Sequence, residues 1–199
     1  MQQKWTRTFL WISVIAWGLL VGAKLFDLRV LVGAWSASPP ESLSLLPYGP
    51  RWPVDTGDFF IPISAALLLA TLGALISGWR TPVRYRVWLA VSLIMIFGVL
   101  ILTVTGFWPR NGALWRVANG SPNALHDRAA IIRMVHEWVV LDWVRIASGT
   151  VGFLASIRAI SVPFPPLEQP TATSLPMKLA YGAGIAAVLA FVCYFVSKL

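Results

Sequence analysis

The chain has 199 residues, 57% of them hydrophobic and only 12% charged, with a mean hydropathy of +0.72. A soluble domain carries about twice that share of charge, so a water-soluble globular protein is excluded and long uncharged runs mark a polytopic membrane protein. The formal charge of +8 points to lipid headgroups and span orientation, not to nucleic acid, because no basic segment interleaves with a recognition motif.

In chain order, five runs come near the ~20 residues needed to cross a hydrocarbon core. They are Thr8–Phe26, Phe59–Trp79, Val87–Phe107, Trp138–Ile160 and Leu179–Ser197. Lys4 and Arg7 before the first run imitate a secretory signal. A retained span is the better reading, because it completes a bundle and carries Gly18-x-x-x-Gly22 for close helix packing. The expected fold is all-α: a four-helix transmembrane bundle over residues 1–161, a Pro-rich linker over 162–178, and a fifth transmembrane helix over 179–199. Trp5, Trp52, Trp79, Trp108 and Trp138 fall at the edges of the runs, as amphipathic interfacial rings do.

The connections are unequal. "RTPVRYR" is short and basic, and Pro82 breaks helix there. The two long connections, "DLRVLVGAWSASPPESLSLLPYGPRWPVDTGD" and the one opening "WPRNGALWRVANGSPN", mix turn residues with Leu and Trp, which predicts ordered caps and not loose loops. Ser121 or Asn123 is expected to cap a helix that starts near Pro122 and runs into the fourth span. Arg80, Arg84 and Arg86, with Lys4 and Arg7, place the N-terminus in the cytoplasm and the C-terminus across the cell membrane.

Because successive spans alternate in direction, the end of the first, the start of the second, the end of the third and the start of the fourth share one membrane face. Lys24, Asp27, Asp55, Asp58, Thr103, Thr105, Asn111, His136, Glu137, Asp142 and Arg145 all fall there. Of eight acidic residues only Glu168 lies elsewhere, so this face is where a functional pocket is expected. Within the fourth span, Trp138, Asp142, Arg145, Gly149 and Gly152 form one helical stripe, with Asp142 and Arg145 at i, i+3. A charge at mid-membrane costs at least ~2.5–3.5 kcal/mol, so such residues face the bundle interior or water. Two readings stay open: an ion pair that only orients the helix, and a ligand-facing site.

Other chemistries find less support. Cys193 is the one cysteine, which rules out an intrachain disulfide and a Cys-based metal cluster. His126 and His136 are not at a familiar ligand spacing, and haem would need histidines deep within the spans. The expectation is therefore no cofactor. No Gly-rich phosphate loop, serine-nucleophile motif or inverted repeat is present.

"LTVTGFWPRNGALW" resembles the "T…P.N..L" signature of the anthrone oxygenase-like family of small bacterial and fungal integral membrane proteins. "WVVLDWVRIASGTVGFLASIRAIS" resembles that family's next element, a Trp followed seven residues later by Arg and a small-residue-rich helix. With the Pro-rich "WSASPPESL", the resemblance takes in roughly residues 8–161, and the fifth span looks like an addition to a four-helix core. Thr105, Pro109, Asn111, Trp138 and Arg145 match by position, whereas Asp142 stands where the pattern has His or Asn. The resemblance implies oxidation of a lipophilic phenol, anthrone or quinone-like molecule in a bacterial inner membrane. In that reading Asp142 or His136 is the base, Arg145 and Asn111 hold the oxyanion, and Trp138, Trp108, Thr105, Asp58 and Lys24 contact substrate. The competing readings are a non-catalytic subunit or homo-oligomer in a larger membrane complex and, behind it, a small transporter.

Overall fold

The computed structural model describes residues 2–47 and 54–163; the expected fifth span and nearly all of the Pro-rich linker lie outside the described residues. The described chain is helical, with no strand among these residues. It contains four helices long and apolar enough to cross a membrane, over Lys4–Trp35, Thr56–Ser77, Val83–Ala118 and Arg128–Ile160.

The first begins as α1 (Gln2–Phe26) and continues through a π-helical turn, Asp27–Val32, to a last turn at Gly33–Trp35. Sequence reading ends this span at Phe26. The helix goes on because nothing in "DLRVLVGAW" breaks it, and the first proline comes only at Pro39. A short 3₁₀ turn, Glu41–Leu45, then packs back on the bundle through buried Leu43, and the Ser42 hydroxyl donates to the Trp35 carbonyl at 2.6 Å. The expected ordered cap is present over this part of the loop.

α2 (Thr56–Ser77) starts with a capping box. Asp55 Oδ1 accepts from the Gly57 amide at 2.7 Å, and Asp58 Oδ2 accepts from the Asp55 amide at 2.9 Å. Both carboxylates thereby satisfy amides that the helix start leaves unpaired. α3 (Val83–Leu102) passes through a second π-helical turn, Thr103–Phe107, into α4 (Trp108–Ala118). The wide turn sits just ahead of Pro109, whose ring clashes with the carbonyl four residues back in a regular helix. The Trp108 amide bonds instead to the Thr103 carbonyl five residues back, so the helix survives a residue that would otherwise end it.

Gly120, at φ +62°, closes α4 in the left-handed conformation that a glycine adopts without strain. The Ser121 amide bonds back to the Arg116 carbonyl at 3.0 Å in the same motif. Ser121 therefore belongs to the end of α4, and the expected helix start near Pro122 is not formed. The last helix, α5 (Arg128–Ile160), is capped by Asp127, whose Oδ1 accepts from the Ala129 amide at 2.9 Å.

α1 packs on α2 and α5, and α3 packs on α5, giving a four-helix bundle. Its outside is apolar: Trp5, Trp11, Ile15, Leu19, Ile94, Ile101 and Leu154 are all exposed. Its inside is largely apolar as well, with Leu10, Leu67, Leu89 and Ile96 buried, and among these sit a few hydroxyls and charges that the bundle shields from hydrocarbon. Gly22 faces open space, so the predicted Gly18-x-x-x-Gly22 contact is not the close-packing device. That role falls to α5, where a Cβ on Gly152 would overlap the Trp17 ring and one on Gly149 would press it at 3.4 Å.

Around Trp17 runs a neutral ladder linking all four spans. Trp17 Nε1 donates to Ser92 Oγ at 2.9 Å, and Ser92 and Ser156 share a bond of 2.9 Å. Ser156 meets Ser13 at 3.5 Å, and Ser13 meets Thr71 at 2.8 Å. Each such bond between helices in lipid is worth on average about 0.6 kcal/mol; together they fix rotation and register more than they add stability.

Candidate functional site

The stripe read on the last span faces inward: Trp138, Asp142, Gly149 and Gly152 are buried, and Arg145 is nearly so. Arg145 Nε donates to Asp142 Oδ1 at 2.8 Å, and its Nη2 bonds the same oxygen. From α1, Lys24 Nζ bridges two carboxylates, at 2.5 Å from Asp27 Oδ2 and 3.9 Å from Asp142 Oδ1. The result is a four-charge cluster, two carboxylates and two cations, formally neutral and built from two helices.

Neutrality lowers the desolvation cost without cancelling it, because ions taken out of water are repaid only when every lone pair is used. Here two are not. Asp142 Oδ2 and Asp27 Oδ1 are buried and have no hydrogen-bond partner among the described residues, and the same holds for Trp35 Nε1. Buried polar groups in a folded protein are nearly always paired, so two carboxylate oxygens and an indole N–H without a partner among the described residues single out this cluster as the candidate site.

Aromatic rings pack around the cluster. Trp35 and Phe107 each meet Trp138 edge-on with centroids 5.0 Å apart, the geometry that aromatic quadrupoles favour. The Arg145 guanidinium lies 3.8 Å from the Phe107 centroid, and the Lys24 ammonium 4.6 Å from that of Phe60, so both cations rest on ring faces as well as on carboxylates. Trp138 is held by Asn111, whose Oδ1 accepts from its Nε1 at 2.7 Å. The two π-helical turns border this region. One carries Asp27 and leads to Trp35, and the other carries Phe107 and leads to Asn111. Wide turns of this kind recur at functional sites.

Residues 52–155, just over half of the chain, match the family model described as anthrone oxygenase. The chain belongs to the anthrone oxygenase family. No curated protein and no solved structure matches it.

The family match takes in Phe107, Asn111, Trp138, Asp142 and Arg145 but begins after α1, so Lys24, Asp27 and Trp35 reach the cluster from outside the matched stretch. Of the residues singled out from sequence in this anthrone oxygenase family member, Asp142, Arg145, Lys24, Trp138 and Asn111 come together. Asp58 is spent on the capping box. His136 is exposed; it lies on α5 next to Glu137, which pairs with Arg110 at 2.9 Å on the surface. Thr105 is exposed and returns its hydroxyl to the Ile101 carbonyl at 2.8 Å, and the Trp108 ring is partly exposed. Sequence reading assigned no site role to Asp27, Trp35 or Phe107. Asp27 is visible as an acidic residue on the right face, but Trp35 and Phe107 give no signal that separates them from core aromatics. Among the described residues no three His, Cys, Asp or Glu side chains stand together as a metal site.

Proposed function

We propose that this protein is a membrane oxygenase that oxidises a lipophilic phenol, anthrone or quinone-like molecule at the cluster of Lys24, Asp27, Asp142 and Arg145, without a cofactor. The supporting observation is the pair of buried carboxylate oxygens, Asp142 Oδ2 and Asp27 Oδ1, left without a described partner beside two cations and three rings. Family membership narrows the chemistry to oxygenation.

Asp142 is the base. Its Oδ1 is engaged by Arg145, which leaves Oδ2 to take the proton from an activated C–H or O–H. The electron pair released becomes an enolate or phenolate, and the Arg145 and Lys24 cations stabilise the oxyanion in a site closed to water. Dioxygen from the membrane is the oxidant. For an anthrone, the enolate carbon bonds to dioxygen and is protonated to a hydroperoxide. The second C–H proton then leaves as the O–O bond breaks, giving a carbonyl and one water. Phe107, Trp35 and Trp138 flank a flat aromatic substrate, and Asn111 positions Trp138. The N-terminus is assigned to the cytoplasm from Lys4, Arg7 and the basic turn at Arg80–Arg86, which puts the cluster near the opposite face.

The test is oxygen uptake by detergent-purified protein on adding an anthrone or a hydroquinone. Uptake that Arg145→Ala abolishes supports the reading. No uptake across a broad phenol panel overturns it and favours the accessory-subunit reading, which stoichiometric co-purification from native membrane then checks.

A further inference from the structure

A second feature lies on the outer surface, where the π-helical part of the first span passes α5. A groove of about 630 Å³ opens there, with Phe26, Val30 and Trp143 on its walls and Leu28 and Val32 at its floor. Phe26, Val30 and Trp143 are all exposed, so the groove faces the surroundings of the bundle and not the charge cluster. Gly33 keeps one end open, since a Cβ there would meet nothing closer than the Leu28 carbonyl at 3.9 Å.

Arg29 stands in this groove. Four cations of the neighbouring cluster and cap are paired, Lys24 with Asp27, Arg145 with Asp142, Arg110 with Glu137 and Arg128 with Glu41. Arg29 is exposed and has no hydrogen bond or ion pair with a described residue. Among the described residues the groove lining holds no carboxylate, because Asp27 turns inward. Height agrees with this. At about 1.5 Å per residue, Arg29 lies roughly 35–38 Å along the first span from Lys4, close to the separation of the two headgroup layers of a bilayer.

We propose that this groove is a binding site for an anionic phospholipid, with one acyl chain against Phe26, Val30 and Trp143 and the phosphate on Arg29. The unpaired Arg29 cation, with no carboxylate among the described lining residues, favours one lipid class. A zwitterionic lipid brings an ammonium for which the groove has no acceptor charge, whereas an anionic lipid presents only the charge that Arg29 lacks.

The test uses the full-length protein, purified in detergent and titrated with phosphatidylglycerol or phosphatidylcholine, bound lipid being counted by native mass spectrometry. Phosphatidylglycerol is expected to bind roughly fivefold more tightly. Arg29→Gln removes that preference, and Gly33→Leu, which fills the groove, weakens retention of both lipids. Both substitutions are at exposed positions, and an unchanged elution profile and helical content confirm the fold. Equal binding of the two lipids overturns the proposal, whether because another segment of the chain covers the groove or because lipids only coat it. So does an undiminished preference in Arg29→Gln.

Discussion

The two ends of the bundle solve the problem of polar groups in an apolar surrounding in opposite ways. Around Trp17 the chain uses neutral hydroxyls, each short enough to bond a neighbouring helix or its own backbone; Thr71, for one, also donates to the Leu67 carbonyl at 2.8 Å. Around Trp138 it uses four ionisable side chains and leaves two carboxylate oxygens and an indole N–H without a described partner. The hydroxyl ladder is redundant, so its members can exchange partners. The charge cluster is not, because each ion there depends on a particular counter-ion and the vacant oxygens carry a standing desolvation cost. A region that serves only packing has no reason to carry that cost, and on this contrast rests the proposal that the second end is the working one.

Four experiments break or sharpen that contrast. The largest effect is expected at Asp142. Asp142→Ala leaves Arg145 buried without its carboxylate and costs about 3–5 kcal/mol, whereas Asp142→Leu combined with Arg145→Met recovers most of that loss. Unfolding of the purified variants in detergent measures both. Should the single substitution prove neutral, the cluster is already hydrated and the contrast fails. Oxygen uptake is expected to stay lost in the double variant, which separates stability from chemistry.

Asn111→Ala comes next. It removes the acceptor of a buried indole N–H and costs about 1–3 kcal/mol, and near-ultraviolet circular dichroism should report a loosened Trp138. Ser13→Ala at the other end breaks the Thr71 and Ser156 bonds and yet costs only about 0.6 kcal/mol, since Thr71 keeps the Leu67 carbonyl and Ser156 keeps Ser92. A cost at Ser13 equal to that at Asn111 would remove the distinction between the two ends.

The smallest effect concerns the cap over the cluster. Glu41 is tied to Arg128 by bonds of 2.6 and 3.2 Å. Its carboxyl is held below the usual range first by its own backbone amide and then by Arg128. A depressed carboxyl contributes stability above its unfolded-state value and loses it as pH falls through the folded one. Amide protection over residues 41–45, taken relative to the intrinsic exchange rate at each pH, is therefore expected to fall slightly below the ordinary carboxylate range and to be flat above it. Arg128→Gln should weaken that dependence and leave the part due to the Glu41 backbone amide.

Much of this was legible in the chain. Long apolar runs give helices, helices of that length in sequence alternate in direction, and alternation alone puts Lys24, Asn111, Asp142 and Arg145 at one end. The period of 3.6 residues likewise puts Trp138, Asp142 and Gly152 on one inward face. Asp58 and His136 share that end of the molecule but not the cluster, because membrane height follows from position along the chain while direction around a helix axis depends on its start and its neighbours. Capping claims Asp58, and His136 falls on the outward side of α5.

Rotation and partnership were settled only in three dimensions. The two π-helical turns carry no sequence mark beyond Pro109, yet the one after Phe26 lets the first span continue and turns both Asp27 and Trp35 inward. The ladder of Ser13, Thr71, Ser92 and Ser156 was equally silent, because a hydroxyl in a transmembrane helix can satisfy itself on the preceding turn and betrays a partner only once another helix lies against it. Apolar length and charge count are sums over a segment, and a sequence states them outright. Which lone pair stays vacant depends on the contacts of atoms from different helices, and only the packed bundle sets those.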